Sequence, residues 1–490
     1  MSDRLDWFLD RSSPEPLHMQ LVRFVKSKIE DGEWSVGMRI PSQRDLAANL
    51  KVNRSTVVAA IEELTAMGLL EGRAGGGTYV VNTTWSVLAA KPPLNWLHYV
   101  EAGNHRPNLK LVQDINEAEF QPGIIRLGTG ELSSELLPQR GMQQILSRLS
   151  QGPLWLGYEE GRGNARLRQA IAEHMGRAGI HGSASSILIV SGALQALQLI
   201  AMGLLERGST VLIENPSYAN SIHVFQAAGM QVSGIPMDDE GLRASLLPHY
   251  RQQTAASLLY TIPSFHNPTG TVMTDRRRSE LAQICRQERL PIIEDDVYRD
   301  LWFDAPPPAP LKARDPEGMV LYVGSFSKTV SPGLRIGWIT GPEPVIARLA
   351  DIKMQTDYGA SSLSQMVAEE WLRSGAYEAH LAELRLALRA RRDRALQLLE
   401  QYCGGIAQWN KPQGGFYIWM KLSGDVPMVR LFELARQEGI LLNPGIIYDR
   451  HTSQHLRISY AYATAVDLEY GIRTLSGLIR TLLRGPIDES

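Results

Sequence analysis

Residues Ser186–Leu205 read SILIVSGALQALQLIAMGLL, a stretch without a single charge. A segment of that length and composition is long enough to cross a bilayer. Its internal order argues for something else. Ile187–Val190 is a short β-branched run, and Ser191-Gly192 is a turn. From Ala193 onward, Leu194, Leu197, Ile200, Ala201 and Leu204 recur at helical spacing. Gln195 and Gln198 lie inside the run. A buried strand, a tight turn and a helix account for the glycine and both glutamines, whereas a lipid-facing helix does not. The segment therefore predicts α/β structure and no membrane span.

The same alternation continues downstream. Short apolar runs at 210–213, 257–262, 291–294 and 319–323 are separated by helical stretches such as 274–288. This is βαβ order, which predicts a mostly parallel sheet covered by helices. Ligands of such sheets bind at the C-terminal ends of the strands. The polar clusters fall there: Ser191-Gly192-Ala193, then Asn215-Pro216-Ser217-Tyr218, His266-Asn267-Pro268-Thr269-Gly270, Asp295-Asp296-Val297-Tyr298, and Gly324-Ser325-Phe326-Ser327-Lys328 followed by Pro332–Gly337. Taken singly, each has a structural explanation. Asn-Pro-Thr-Gly is a good turn, Asp-Asp after a strand is often a cap, and Ser-Lys is usually surface. Five clusters at successive strand ends, each with a different polar group, exceed what turns require. Pyridoxal 5'-phosphate chemistry needs this set: a lysine amine for a Schiff base, an acid against the ring nitrogen, donors to the ring oxygen, a stacking aromatic and a phosphate cup.

Residues 1–81 have another character. Leu17, Leu21, Val25 and Ile29 mark an amphipathic helix over 16–30. Pro41-Ser42 opens a second helix, with Ser42 at the N-cap, and Lys51-Val52-Asn53 turns into a third, with Asn53 as a possible cap. Val57, Ala60, Ile61 and Leu64 form the buried stripe of the third helix. Leu69–Gly72 and Thr78–Val81 flank a glycine-rich tip, Arg73–Gly77, as a β-hairpin. This order is a winged helix-turn-helix, whose third helix enters the DNA major groove. Candidate DNA contacts are Arg39, Ser42 and Arg44 before and on the second helix, Asn53, Arg54, Ser55 and Thr56 at the start of the third, and Arg73 and Gly76 at the hairpin tip. The module has ten Lys/Arg against eleven Asp/Glu, so it is not basic overall, but residues 39–58 hold Arg39, Arg44, Lys51 and Arg54 against Asp45 alone. Read from spacing and charge, the module binds either DNA or another protein.

Residues 82–121 show no sustained period and contain Pro92-Pro93, Gly103 and Pro107. They read as a linker, partly packed through Trp85, Trp96 and Tyr99. The chain's 490 residues predict more than one domain. Its formal charge of −2 declares no nucleic-acid or membrane partner by itself. Cys285 and Cys403, the only cysteines, support neither a disulfide framework nor a zinc cluster, and no metal site is expected. The acidic, polar start has no signal-peptide pattern, and with the low cysteine usage it points to the cytoplasm.

Residues 14–81 resemble the DNA-binding domain of GntR-type regulators. The carrying residues are Pro16-Leu17, Gly37–Ala47, Val52–Val57, Leu64, Gly68-Leu69 and Gly75–Tyr79. The resemblance implies binding to double-stranded operator DNA as a homodimer. Residues 122–480 resemble the fold type I, aspartate aminotransferase-like enzymes: a large α/β part over about 122–340 and a smaller C-terminal α+β part over about 341–490. Motif by motif, the likeness implies Lys328 as the Schiff-base lysine and Asp295 as partner of the ring nitrogen. Asn267 and Tyr298 are implied at the ring oxygen and Tyr218 on the ring face. Ser191, Gly192, Ala193, Ser325, Ser327 and Arg335 are implied around the phosphate. Tyr158, in Trp155–Gly161, is implied at the phosphate of a neighbouring subunit, and Arg457, in Leu456–Tyr460, at an amino-acid carboxylate. Pro412–Tyr417 belongs to the same pattern. A second arginine for a distal carboxylate cannot be placed, which puts dicarboxylate substrates in doubt. The module order resembles the MocR subfamily of GntR regulators, in which the aminotransferase-like domain is a sensor of pyridoxal phosphate or of a small amino compound. The alternatives are a working aminotransferase with an accessory N-terminal module, and a cofactor-binding scaffold for a protein partner.

Overall fold

In the N-terminal module, burial follows the apolar periodicity. Helix α1 (Leu17–Glu30) buries Leu21, Val22, Phe24 and Val25. The computed structural model describes residues 9–13, 15–30, 33–34, 36–73, 76–81, 108–449 and 451–484. Helix α2 (Gln43–Leu50) starts at Ser42, whose hydroxyl accepts from the Asp45 N–H at 3.2 Å and donates to Asp45 Oδ2 at 2.6 Å. That reciprocal cap satisfies donors the first turn leaves free. Helix α3 (Arg54–Ala66) buries the expected Val57, Ala60, Ile61 and Leu64. Strands β1 (Leu70–Arg73) and β2 (Gly77–Val80) pair antiparallel, Leu70 opposite Val80. Three helices and a hairpin around one small apolar cluster form a winged helix-turn-helix.

The described residues fall into two compact units, one on each side of residues 82–107. Trp85, Trp96 and Tyr99 lie outside the described residues. The end of the stretch read as linker is helical: α4 (Lys110–Ala118) buries Val112, Ile115 and Ala118 in the core of the second unit. Strand β3 (Ile125–Arg126) follows.

Eight strands form the main sheet: β4 (Ile187–Val190), β5 (Thr210–Asn215), β6 (Gln231–Asp238), β7 (Gly241–Leu242), β8 (Leu258–Thr261), β9 (Ile292–Asp295), β10 (Val320–Ser325) and β11 (Gly337–Thr340). Their order is β4-β11-β10-β9-β8-β5-β6-β7. Strands β6, β5, β8, β9 and β10 are parallel neighbours, β11 runs antiparallel between β10 and β4, and β7 is an antiparallel edge. The five strands read from sequence are all present. The segment Ser186–Leu205 divides as expected into β4, a turn and the helix Ala193–Leu204. Among the described residues, no helix is long and apolar enough to cross a membrane.

The C-terminal part carries a smaller antiparallel sheet of β12 (Ala407–Trp409), β13 (Tyr417–Leu422), β15 (Asn443–Pro444) and β16 (His455–Ser459). Strand β14 (Ile440–Leu441) pairs in parallel with β3. The long helices Ala376–Cys403 and Ala465–Arg484 pack together over the apolar cluster that the smaller sheet joins.

Candidate functional site

The C-terminal ends of β8, β9 and β10 open onto a cavity of about 610 Å³. Each strand delivers its polar group at the point where the chain leaves the sheet. Asp295, the last residue of β9, is buried, and its Oδ2 accepts from the Tyr260 hydroxyl of β8 at 2.8 Å. Its Oδ1 has no hydrogen-bond partner among the described residues. Burial raises the Asp295 carboxyl to about 6, with the Tyr260 bond, the Val297 backbone N–H and nearby Lys328 opposing the rise. Lys328 follows β10 by three residues, and its Nζ donates to the Gly130 carbonyl at 2.7 Å. The same Nζ stands 5.9 Å from the centre of the Tyr298 ring.

A phosphate-sized cup lies beside them. Ser325 Oγ accepts from the Ser327 N–H at 3.1 Å, and the two hydroxyls are 3.0 Å apart. Arg335 adopts a left-handed backbone (φ 52°) that a non-glycine residue rarely takes, and its guanidinium donates to the Ser191 carbonyl at 2.7 Å. Gly192 has φ 91°, a backbone conformation that strains any residue with a Cβ, and a Cβ there would also press on that guanidinium at 2.8 Å. Ala193 opens the helix Ala193–Leu204, lines the cavity and presents the positive end of the helix to it. Ser191 and Gly192, expected at the phosphate, are not among the residues lining the cavity, and the Ser191 N–H is given to Gln195 Oε1 at 2.7 Å.

The other expected residues converge on the same space. Tyr218 lines it, with its hydroxyl pushed up to about 12 by burial. Asn267 is held by its loop: Glu214 on β5 accepts from Thr261 Oγ1 at 2.6 Å and from the Ile262 N–H at 2.8 Å, and lies 3.1 Å from His266 Nε2. Asn267 Oδ1 accepts from Arg457 Nη1 at 2.8 Å, and Arg457 Nη2 donates to the Gly128 carbonyl at 2.6 Å. Arg457 is buried against the Tyr417 and Tyr448 rings, 4.3 Å and 4.9 Å from their centres. No carboxylate pairs with Arg457 among the described residues. Tyr158 is the exception to the convergence. It is 78% exposed, outside this subunit's cavity, and packs on Tyr358.

Sequence reading missed two contributors. Tyr417, quoted only as part of a glycine-rich motif, bonds the Tyr298 hydroxyl at 2.9 Å and backs Arg457. Helix α4 supplies Val112, Ile115 and Asn116 to the cavity wall. An apolar spacing of three over 112–118 was the available signal.

These groups fit pyridoxal 5'-phosphate. A buried carboxylate oxygen without a donor suits a protonated ring nitrogen, and two serine hydroxyls, a helix N-terminus and an arginine suit a phosphate.

On the N-terminal module, Arg39, Arg44, Asn53, Arg54 and Ser55 are exposed, Ser42 is exposed and occupied as a cap, and Thr56 is half-buried. Asn53 sits at the N-cap position of α3 but makes no capping hydrogen bond, so the expected capping role is not taken up and its amide is left to other partners. Arg39, Arg44, Lys51 and Arg54 have no ion-pair partner among the described residues. Gly76 is described, and its carbonyl accepts from the Tyr79 hydroxyl at 3.1 Å. Arg73 ends β1, and its side chain lies outside the described residues.

Residues 18–80 match the gntR family of bacterial regulatory proteins, and residues 122–475 match aminotransferase class I and II. An uncharacterized HTH-type transcriptional regulator of Bacillus subtilis, YisV, is 56% identical over 97% of this chain and 99% of its own length. The HTH-type transcriptional regulator NorG of Staphylococcus aureus is 34% identical over 89% of this chain and 98% of its own. Among solved structures, the Pyrococcus horikoshii kynurenine aminotransferase superposes with a TM-score of 0.73 at 29% identity, covering 79% of this chain and 98% of that one. The Thermus thermophilus alpha-aminoadipate aminotransferase LysN, complexed with N-(5'-phosphopyridoxyl)-L-leucine, gives 0.73 at 29%, covering 80% and 100%.

Proposed function

Since this chain belongs to the gntR family of bacterial regulatory proteins and, over most of its length, to the class I and II aminotransferases, we propose that it is a regulator of the MocR type. It binds operator DNA as a homodimer through residues 1–81 and senses pyridoxal 5'-phosphate, or an amino compound reacting with it, at Lys328. The observation that carries the sensor reading is a pair of incompletely paired ionic groups lining one cavity: among the described residues, Asp295 Oδ1 has no donor and buried Arg457 has no carboxylate partner.

Pyridoxal 5'-phosphate supplies an electrophilic carbonyl and an electron sink when bound. The chain's own residues do the rest. Asp295 holds a proton on the ring nitrogen. Ser325, Ser327, Ala193 and Arg335 bind the phosphate, with Tyr158 of the second subunit completing the cup. Tyr218 covers the ring face. Asn267 and Tyr298 donate to the ring oxygen. Arg457 binds the carboxylate of an amino acid, and Tyr417 keeps both Arg457 and the Tyr298 hydroxyl in place. Lys328, whose Nζ stands at the cavity wall, would hold the carbonyl end of the cofactor. Helix α4 lines the cavity and lies within residues 81–121, between the two matched regions. A ligand that favours one arrangement of this wall biases DNA affinity by its differential contacts.

For DNA, Arg39, Arg44, Lys51 and Arg54 are cations without acidic partners among the described residues of one module, and Arg54 starts α3, where side chains meet base edges. A second reading, turnover as an aminotransferase, is favoured by the complete set of residue types in the cavity. The deciding experiment is a footprint on the chain's own upstream region, with and without pyridoxal 5'-phosphate and a panel of amino acids. A defined footprint altered by an amino acid is expected, and lost regulation in Lys328→Ala. No protected region under any condition, with sustained multiple-turnover transamination, refutes the regulator.

A further inference from the structure

Lys353 is a buried charge to which the site described above gives no task. It lies on the helix Glu343–Thr356, and its side chain is 1% exposed. Its Nζ donates to Asp357 Oδ1 and Oδ2, each at 2.6 Å, and to Gln195 Oε1 at 3.1 Å. A buried ion pair is weak evidence of stability, because apolar residues of similar volume often serve a fold as well. What this pair does is fix an amide. Gln195, in the first turn of the helix Ala193–Leu204, donates from Nε2 to Asp357 Oδ2 at 2.5 Å, and its Oε1 accepts from the Ser191 N–H at 2.7 Å. Turned over, the amide would set its own N–H groups against an ammonium and a backbone N–H, and its oxygen against a carboxylate. Gln195 therefore holds one orientation. With its N–H on Gln195 and its carbonyl on Arg335 Nη2 at 2.7 Å, Ser191 is clamped at both ends. Gly192 then turns, with φ 91°, into Ala193, which lines the cavity together with Arg335.

We propose that Gln195 and Lys353 are positioning residues for the phosphate cup: they hold the Ser191-Gly192 turn, and through it Ala193 and Arg335, in the geometry that receives the phosphate of pyridoxal 5'-phosphate. The inference rests on the assignment of Ala193, Arg335, Ser325 and Ser327 to the phosphate given above, and it adds the residues behind them. Neither Gln195 nor Lys353 is among the residues lining the cavity, so both act through Ser191. Ser325 and Ser327 bond each other and make no bond to this network, so part of the cup survives its loss.

The test compares pyridoxal 5'-phosphate with pyridoxal, which lacks only the phosphate. Each is titrated into the cofactor-free full chain and followed by visible absorbance, for the parent, Gln195→Met, Lys353→Met and the double variant. Methionine keeps the length of either stem and removes its polar end. The parent is expected to bind the phosphorylated compound more tightly. Each single variant should cut that preference by about tenfold, the value of one hydrogen bond to a charged group, while the affinity for pyridoxal stays within about twofold. The double variant should lose little more than either single one, because the two residues act in one chain of bonds. An ion pair that merely staples two helices would weaken both compounds alike. Equal losses for the two compounds, or an unchanged preference in the single variants, therefore overturn the inference while leaving the cofactor reading standing. Should Lys353→Met fail to fold, Gln195→Met decides alone. A parent that binds neither compound, or both alike, overturns the cofactor reading itself, and the inference with it.

Discussion

Replacing Asp295 with asparagine isolates the charge at the centre of the site. The buried carboxyl is raised from 3.8 to about 6, chiefly by burial, with the Tyr260 hydrogen bond pulling the other way. At about 1.4 kcal/mol per unit, a shift of roughly two units corresponds to about 3 kcal/mol. The sign follows from the direction. The folded chain keeps this proton to higher pH than the unfolded chain, so the charge costs nothing below about pH 4. The cost grows between pH 4 and 6 and is complete above 6. Asparagine retains an oxygen for the Tyr260 hydroxyl and carries no charge. Cofactor-free Asp295→Asn should therefore match the parent near pH 4 and exceed it by up to about 3 kcal/mol at pH 8, an upper limit because water entering the cavity screens the ion. With pyridoxal 5'-phosphate the order reverses, since a protonated ring nitrogen neutralises aspartate and not asparagine. Denaturant unfolding of both proteins from pH 4 to 8, with and without cofactor, reads both effects. If the cofactor-free proteins track each other at every pH, Asp295 carries no uncompensated buried charge. If both gain equally from the cofactor, Asp295 is not its ring partner.

Arg54→Ala is expected to relax sequence preference by about 1–3 kcal/mol at one base pair, whereas Arg44→Ala weakens binding to all sequences and lowers the salt slope by about one unit; identical binding profiles in a salt-dependent gel-shift series refute that division. The chain should sediment as a dimer, and Tyr158→Phe should weaken cofactor binding by about tenfold or more, as losing one hydrogen bond to a charged group does; a monomer holding the cofactor as tightly as the parent contradicts it. Burial pushes the Cys285 thiol up to about 12 and the Cys403 thiol up to about 11, so neither should react with a disulfide reagent at pH 8 until the chain is unfolded. Rapid modification of the folded chain at either position refutes their burial.

Much of the site was legible because its parts are local. A strand of four to six residues ending in Asp-Asp-Val-Tyr or Gly-Ser-Phe-Ser-Lys is visible in a short window, and the sheet then brings the ends together. The short helix Lys110–Ala118 escaped because nine residues with Val112 and Ile115 inside make a weak period. No side chain caps its start, and it owes its stability to burial. Strand β11 escaped because Gly337–Thr340 is a four-residue strand behind a turn, and its antiparallel place between β10 and β4 is settled by partners almost 150 residues away in one direction. Asn53 looked like a cap by type and position, but its side chain makes no capping hydrogen bond.

The sequence by itself determined the elements and which chemical groups stand at their ends, because helical and strand periods arise from backbone geometry over a few residues. It also determined the order of the modules and the positive balance of residues 39–58. Only the tertiary structure decided which of those groups remain unsatisfied. Tyr298 and Tyr417 meet across 119 residues, Arg457 and Asn267 across 190, and Arg457 and the Gly128 carbonyl across 329. Such pairings are set by how packed layers align and not by any local pattern. Among the described residues, Asp295 Oδ1 without a donor and Arg457 without a carboxylate are therefore properties of the assembled fold, since an unmet hydrogen bond exists only once burial has removed the water that would otherwise meet it.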